Sequence, residues 1–303
     1  QLFGIESDFL LLHLILPVGI SFYTFQALSY SIDVYRKQIE PCHDIVAFTA
    51  FLSFFPQLVA GPIERATNLL PQFQKKRSFD YATAVDGMRQ ILWGLFKKIV
   101  VADNCATYVD QVFADLASHS GSTLLLAAIL FTFQIYGDFS GYSDIAIGTA
   151  KLFGIKLMRN FNVPYFSRDI AEFWRRWHIS LTTWFRDYVY IPLGGNRVSK
   201  WRGIFNIFVV WMLTGFWHGA SWNFVVWGLY FGVILMLEKF VFKALLKKLP
   251  GVITHIYTTI AVTLGWAIFS LEDFSYLTSY VKGMFVNSPI IDASFLYYMK
   301  PYA

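Results

Sequence analysis

A run of 35 residues without Asp, Glu, Lys or Arg, from Gly203 to Leu237, limits the fold of this chain more than any other feature. As a single helix it would be about 52 Å long, which exceeds the roughly 30 Å hydrocarbon core of a bilayer. Both flanks are basic, so both are expected on the cytoplasmic side of a membrane. The sequence therefore predicts two helices joined by a turn at Gly215, Gly219, Ser221 and Asn223.

Composition indicates the class of protein to which this run belongs. Of the 303 residues, 56% are hydrophobic and 15% are charged, whereas soluble domains carry about 25% charged residues. The mean hydropathy is +0.47, and the apolar runs are continuous, which is typical of membrane helices rather than of membrane β-strands. We expect an all-α polytopic protein embedded in a lipid bilayer. The net charge of +5 predicts no nucleic-acid partner, because in such a chain it marks cytoplasmic loops.

The remaining apolar segments are at residues 9–32, 45–60, 87–102, 122–137, 145–155 and 252–270. The short segment 45–60 is expected to be a broken or re-entrant element rather than a full span. Residues 103–121 contain three aspartates and no basic residue, which predicts an external loop. Ten Lys or Arg residues between Lys151 and Arg202 predict that 156–202 faces the cytoplasm.

His218 stands near the middle of the uncharged run. Ionisable residues inside membrane segments are rare and usually functional. A neutral imidazole in a pocket can act as a general base, and the glycine that follows it lets a substrate approach closely. The alternative is a structural histidine that is hydrogen-bonded to a neighbouring helix.

Residues 171–188 are predicted to form an amphipathic helix at the membrane interface. Its aromatic residues fall on one arc of a helical wheel, and Arg175 and Arg176 fall on the other side. His178 lies just beyond the edge of the aromatic arc. From these residues alone, headgroup contact explains the arginines and a wet position at the interface explains His178.

The segment YGDFSGYSDIAIG places Asp138 and Asp144 between two apolar stretches. A bound cation, a proton path or hydrogen bonds that stabilise a broken helix would each explain them, and the glycines and serines nearby favour the last. No metal-ligand spacing is present, so no metal site is predicted. The chain also lacks the GxSxG, P-loop, GxGxxG and HExxH motifs, which argues against a serine hydrolase, a nucleotide-driven pump and a zinc protease.

Two long stretches carry a resemblance to a known family: NFNVPYFSRDIAEFWRRWHISLTTWFRDYVYIPLGGNR and TGFWHGASWN. Together with PVGISFYTFQALSYSIDVYR and FPQLVAGPIER, they resemble the membrane-bound O-acyltransferase family. The resemblance is strongest to its bacterial branch, which O-acetylates alginate and related exopolysaccharides. It implies broken helices around a tunnel, in a single domain over residues 1–303. Helices that the family has before residue 1 are expected to be missing, so the chain is expected to be a fragment.

The resemblance also implies roles for particular residues. The catalytic histidine of the family lies in a WHG motif, which is His218 here, and the RWH sequence supplies His178 as its partner. Arg175 and Arg176 belong to a basic side that is then expected to hold the phosphates of an acyl donor.

The function implied is transfer of an acetyl group from a cytoplasmic thioester to hydroxyls of an exported polysaccharide such as alginate. Transfer is direct or passes through a periplasmic acetyl-transfer protein. Acetyl-CoA is the expected co-substrate, an acyl carrier protein is the other donor, and no permanently bound cofactor is expected. The expected location is the bacterial inner (plasma) membrane. A multipass transporter or channel would also explain broken helices, and an inactive scaffold of a polysaccharide export complex is a third possibility.

Overall fold

The computed structural model describes residues 19–270 and 274–285, together with positions 291 and 296. Within these ranges the regular elements are all helices, which confirms the predicted fold class. In chain order the α-helices are α1 (Ile20–Tyr35), α2 (Ile45–Ser53), α3 (Phe55–Leu58), α4 (Ala66–Gln74), α5 (Tyr81–Leu95), α6 (Asp103–Ala114), α7 (Gly121–Leu152), α8 (Ile170–Arg176), α9 (Ile179–Phe185), α10 (Lys200–His218), α11 (Trp222–Leu237), α12 (Lys243–Lys248), α13 (Gly251–Ser270) and α14 (Phe274–Phe285). Of the predicted apolar segment 9–32, residues 9–18 lie outside the described residues.

Three of the described helices are long and apolar enough to cross a membrane: Gly121–Leu152, Trp222–Lys248 and Gly251–Ser270. The last agrees with the predicted span over 252–270. Along the first, large apolar side chains are exposed at Leu125, Ile129 and Phe133. Exposed apolar surface of this kind marks contact with a membrane or with another protein surface. The chain is therefore a membrane protein.

Stretches of π-helix occur at Phe96–Ala102, Arg186–Tyr190 and Glu238–Phe242. A π-turn makes i→i+5 bonds, and such turns occur frequently at functional sites. The first stretch joins α5 to α6 and confirms that 87–102 is helical. The other two flank the cavity described below.

The long uncharged run folds back on itself as predicted. α10 ends at His218 and α11 begins at Trp222. Glycines bring the two helices into backbone contact. A Cβ atom on Gly215 would lie 2.5 Å from the carbonyl oxygen of Phe224, and one on Gly228 would lie well under 3.0 Å from that of Trp211. Small residues at a membrane helix interface allow this close approach.

The prediction of a broken helix over 136–148 is wrong, because α7 runs without interruption from Gly121 to Leu152. Its glycines serve helix packing instead. A Cβ on Gly141 would lie 2.7 Å from the carbonyl oxygen of Gly94, and one on Gly148 would lie 2.5 Å from that of Gly87. α5 and α7 therefore meet through two reciprocal glycine pairs.

The two aspartates of α7 are neutralised by lysines of the neighbouring π-helix. Lys98 Nζ lies 2.6 Å from Asp138 Oδ1, and Lys97 Nζ contacts the carboxylate of Asp144. Gln90 Nε2 also donates to Asp144 at 2.8 Å. Ionisable residues in membrane segments usually pair in this way. Of the three explanations for the aspartates, the structure supports polar bonding, although within an unbroken helix.

The prediction of a loop over 103–121 is wrong over most of its length, because α6 occupies Asp103–Ala114. Tyr108, Val109 and Val112 are buried on one side of α6. Asp103 and Asp110 therefore lie on an amphipathic helix, and Asp115 directly follows it. The prediction relied on charge alone and did not detect the apolar side of this helix.

The prediction that 45–60 is broken is confirmed. α2 ends at Ser53, Phe54 has an extended conformation with ψ 101°, and α3 adds only four residues. The Asp44 side chain begins α2 by accepting hydrogen bonds from the backbone N–H groups of Val46 and Ala47.

The prediction of one helix over 171–188 is wrong, because the chain breaks between α8 and α9 at residues 177–178. The aromatic arc exists, but it packs inside the protein. Phe173, Trp174 and Trp177 are buried in a cluster with aromatic residues of α10, α11 and α13. The break places His178 where a continuous helix would not.

Candidate active site

A cavity of about 970 Å³ lies between α7, the broken helix α8–α9, the hairpin α10–α11, α12 and α13. Its lining divides into two groups by exposure. Buried aromatic side chains form the interior: Trp174, Trp177, Trp211, Trp227 and Trp266. Basic side chains line its exposed part: Arg168, Arg175, Arg186, Lys239, Lys243 and Lys247. This basic group, exposed except for the half-buried Lys239, marks the mouth of the cavity.

His218 is the last residue of α10 and lines the cavity. Its ring lies edge-on to three aromatic rings, with centroid distances of 4.6 Å to Trp217, 5.0 Å to Trp227 and 5.1 Å to Phe269. Gly219 ends the helix at this point. A Cβ atom there would lie 2.8 Å from the ring of Phe224. The turn therefore requires glycine beside the histidine.

His178 lines the same cavity and is 3% exposed. Its backbone is left-handed, with φ 44° and ψ 52°, a conformation that costs a non-glycine residue about 1–2 kcal/mol. Its ring lies 4.7 Å from Phe139 and 6.0 Å from Trp217. Neither ring nitrogen has a hydrogen-bond partner among the described residues. Strain and an unpaired polar group at one residue are typical of functional sites.

The structure thus brings His178 and His218, which are 40 positions apart, to the wall of one cavity with Trp217 beside both rings. Their catalytic roles stay predictions.

The two predicted donor-binding arginines are placed differently. Arg175 is exposed and lines the mouth of the cavity. Arg176 pairs with Glu172 on the next turn, at 2.6 Å, and is not among the lining residues.

Lys239 is a residue of the mouth that the sequence reasoning missed. Its Nζ donates to Asn196 Oδ1 at 2.6 Å and to the Tyr190 hydroxyl at 3.0 Å. The Tyr190 hydroxyl also donates to Asn196 at 2.8 Å. The YIPLGGNR sequence therefore forms a turn that holds a lysine at the cavity mouth. A lysine two positions after the end of the uncharged run was the available signal.

Glu238 was also missed. It is 6% exposed and lines the cavity. Its carboxylate accepts hydrogen bonds from the backbone N–H groups of Ile170 at 2.8 Å and Ala171 at 3.2 Å, and from the Tyr257 hydroxyl at 3.1 Å. A carboxylate at a helix N-terminus is favoured by the helix dipole. Glu238 therefore fixes the start of α8 against α11.

Glu64 anchors the chain that leads into α8. This buried carboxylate accepts hydrogen bonds from the backbone N–H of Met158 and from Asn68 Nδ2. Burial raises the pKa of the Glu64 carboxyl, and these hydrogen bonds act in the opposite direction. The segment after Met158 is thereby tied to the loop before α4.

Comparison with known proteins bears on what this site does. The family model described as MBOAT, membrane-bound O-acyltransferase family, matches residues 38–271. A probable alginate O-acetylase of Pseudomonas aeruginosa is 41% identical over 283 residues, which cover 93% of this chain and 54% of the relative. A peptidoglycan O-acetyltransferase of Helicobacter pylori is 37% identical and covers 92% of this chain and 58% of the relative.

A more distant relative shares the same region. A teichoic acid D-alanyltransferase of Bacillus subtilis is 31% identical, over 87% of this chain and 71% of the relative. The chain spans little more than half the length of the O-acetylating relatives. Both catalytic candidates and the mouth residues lie inside the matched range.

Proposed function

This chain belongs to the membrane-bound O-acyltransferase family. From that premise we propose that the full-length protein transfers an acetyl group from a thioester donor to a hydroxyl of a cell-surface polysaccharide. The observation that carries the proposal is the meeting of His178 and His218 on one cavity whose mouth is basic. The P. aeruginosa relative, a probable alginate O-acetylase, points to alginate or a similar polymer as the acceptor.

The chemistry proceeds as a simple acyl transfer. His218 takes the proton from the acceptor hydroxyl as that oxygen attacks the thioester carbonyl. The tetrahedral intermediate collapses with cleavage of the carbon–sulfur bond, and the proton leaves on the thiol. His178 orients the acceptor or donates a hydrogen bond to the developing oxyanion. The buried aromatic walls exclude water, which would otherwise hydrolyse the thioester.

A direct test compares purified full-length protein with its His218→Gln variant in proteoliposomes. Acetyl-CoA, labelled in the acetyl group, is supplied with alginate oligosaccharides. We expect thiol release and label in the sugar, both lost in the variant. Flux of sugar or ions without thiol release would instead identify a transporter. Neither thiol release nor flux with the wild-type protein would favour a scaffold role, and transfer that survives the substitution would remove His218 from the catalytic step.

The donor is proposed to be acetyl-CoA, bound by its phosphates at the basic mouth. Lys239, Lys243 and Lys247 supplement Arg175 there. Clustered cations of this kind bind phosphate through charge-assisted hydrogen bonds. A carrier-protein thioester would present a single phosphate and the same acyl group, so it would depend less on the cluster.

Arg175→Gln is expected to raise the Michaelis constant for acetyl-CoA about tenfold with little change in kcat, because it removes binding shared by the ground and transition states. Arg176→Gln is the matched control, since Arg176 is paired with Glu172 away from the lining. We expect a smaller change from it. The measurement is donor titration in proteoliposomes. Equal donor constants in Arg175→Gln and wild type would remove Arg175 from the donor site.

The membrane orientation is proposed from the same arrangement. The mouth of the cavity and segment 156–202 face the cytoplasm of the inner membrane, and the loop that follows α6 faces outward. With Cys42, Cys105 and every other native cysteine of the full-length protein replaced, a single cysteine at position 115 should react with an impermeant maleimide in intact cells, and one at position 197 should not. The reverse labelling pattern would invert the proposed orientation. In this orientation a periplasmic acetyl-transfer protein could receive the acetyl group in place of the polymer.

A further inference from the structure

The start of α9 lacks the usual cap. His178 occupies the N-cap position, but its side chain makes no capping hydrogen bond. The first N–H groups of any helix need acceptors, and an N-cap side chain normally supplies one. At α9 another part of the chain must supply it.

Asn160 supplies these acceptors from outside the helix. Its backbone oxygen accepts the N–H of Ile179 at 2.9 Å. Its side-chain Oδ1 accepts the N–H of Ser180 at 3.2 Å and the hydroxyl of Ser180 at 2.9 Å. The two N–H groups that follow the strained residue are thus both satisfied by one asparagine.

The asparagine is itself fixed on a rigid element. Asn160 Nδ2 donates to Ser143 Oγ of α7 at 3.2 Å. Asn160, Ser143 and Ser180 are each at most 2% exposed. The network is buried and both polar atoms of the Asn160 side chain are hydrogen-bonded, so it favours one geometry. It links α7, the longest of the described helices, to the first turn of α9.

We propose that Asn160 is a positioning residue for acyl transfer, which caps α9 in place of His178 and so leaves the His178 imidazole free on the cavity wall. The inference rests on the proposed function. Without Asn160, the ring of His178 would turn back to accept the N–H of Ser180, or its backbone would relax to the right-handed region. Either change moves the ring away from Trp217 and from the cavity wall.

The test uses full-length protein and the acetyl-transfer assay with acetyl-CoA and alginate oligosaccharides. Asn160→Ala is expected to lower kcat about 10- to 100-fold, the scale of a misplaced catalytic group, with the donor Michaelis constant within about twofold. Asn160→Asp keeps an acceptor for Ser180 and should restore most of the turnover. Ser143→Ala removes only the tether to α7 and should give a smaller loss in the same direction.

The matched control is Tyr280→Phe. The Tyr280 hydroxyl is buried and donates to the backbone oxygen of Leu124 at 2.8 Å, linking α14 to α7 away from the cavity. The Tyr280→Phe substitution should lower the unfolding temperature without lowering kcat per folded molecule. If Asn160→Ala and Ser143→Ala behave like Tyr280→Phe, the positioning role is overturned. If the wild-type protein itself releases no thiol and labels no sugar, the proposed function has failed, and the positioning role is overturned with it.

Discussion

Replacing His218 with glutamine is expected to abolish acetyl transfer while leaving the protein folded in the membrane. Loss of a general base typically costs about 10²- to 10⁴-fold in turnover. The ring lies against Trp217, Trp227 and Phe269, and glutamine fills a similar volume without a basic nitrogen.

The measurement is turnover per folded molecule, with folding followed by thermal unfolding in detergent. His255→Ala is the matched control. His255 lies on the spanning helix α13, is half-buried and contacts the Ser167 carbonyl oxygen at 3.2 Å, but it does not line the cavity. We expect near wild-type turnover from it. Turnover within tenfold of wild type in His218→Gln would refute the assignment of His218 as the base.

The place of His218 in the fold followed from sequence alone. The uncharged run is too long for one span and is flanked by basic residues at both ends, so it has to turn back within the membrane. Its glycines indicate the position of the turn. The observed turn between α10 and α11 lies within one or two residues of that expectation. The signal was strong because it depends on length and charge, which are properties of the local sequence.

The position of His178 could not be derived in the same way. A helical wheel assumes one conformation throughout, so it placed His178 at the edge of an arc. The break exists because Asn160, 18 residues earlier, satisfies the N–H groups after it. Partners so distant in sequence leave no periodic trace. Only the family motif pointed to His178, without explaining its geometry.

The unbroken helix α7 is the opposite case, because the sequence predicted a break that the structure does not have. Glycine and aspartate between apolar stretches are typical of a break. Here the glycines pack on Gly87 and Gly94 of α5, and Lys98, 40 residues earlier in the chain, neutralises Asp138. The local sequence shows that glycine and aspartate are unfavourable in an apolar helix. It does not show the contacts with distant residues that compensate for them.

Gly228→Ala is expected to produce the largest loss of stability of any single methyl group added to the hairpin. The new Cβ would lie well under 3.0 Å from the backbone oxygen of Trp211, and 3.3 Å from the Cα of Gly215. A backbone carbonyl cannot rotate away as a side chain does, so α10 and α11 have to separate. Overpacking typically costs about 1–3 kcal/mol and occasionally more, and we expect at least the upper value.

Separation of the hairpin also moves the site, because α10 ends at His218 and α11 carries Trp227 against it. The folded fraction of Gly228→Ala should therefore show reduced turnover as well as a lower unfolding temperature. A misplacement of about 1 Å can cost about 100-fold in rate.

Gly203→Ala is the control on the same hairpin. Its Cβ would meet only the tip of the Phe240 ring, at 3.3 Å, which can shift. Alanine is favoured over glycine within a helix by about 1 kcal/mol, so this variant should be as stable as wild type or more stable. The two substitutions add the same methyl group to the same hairpin with opposite expected signs. A stabilising Gly228→Ala would show that α10 and α11 do not pack through their backbones.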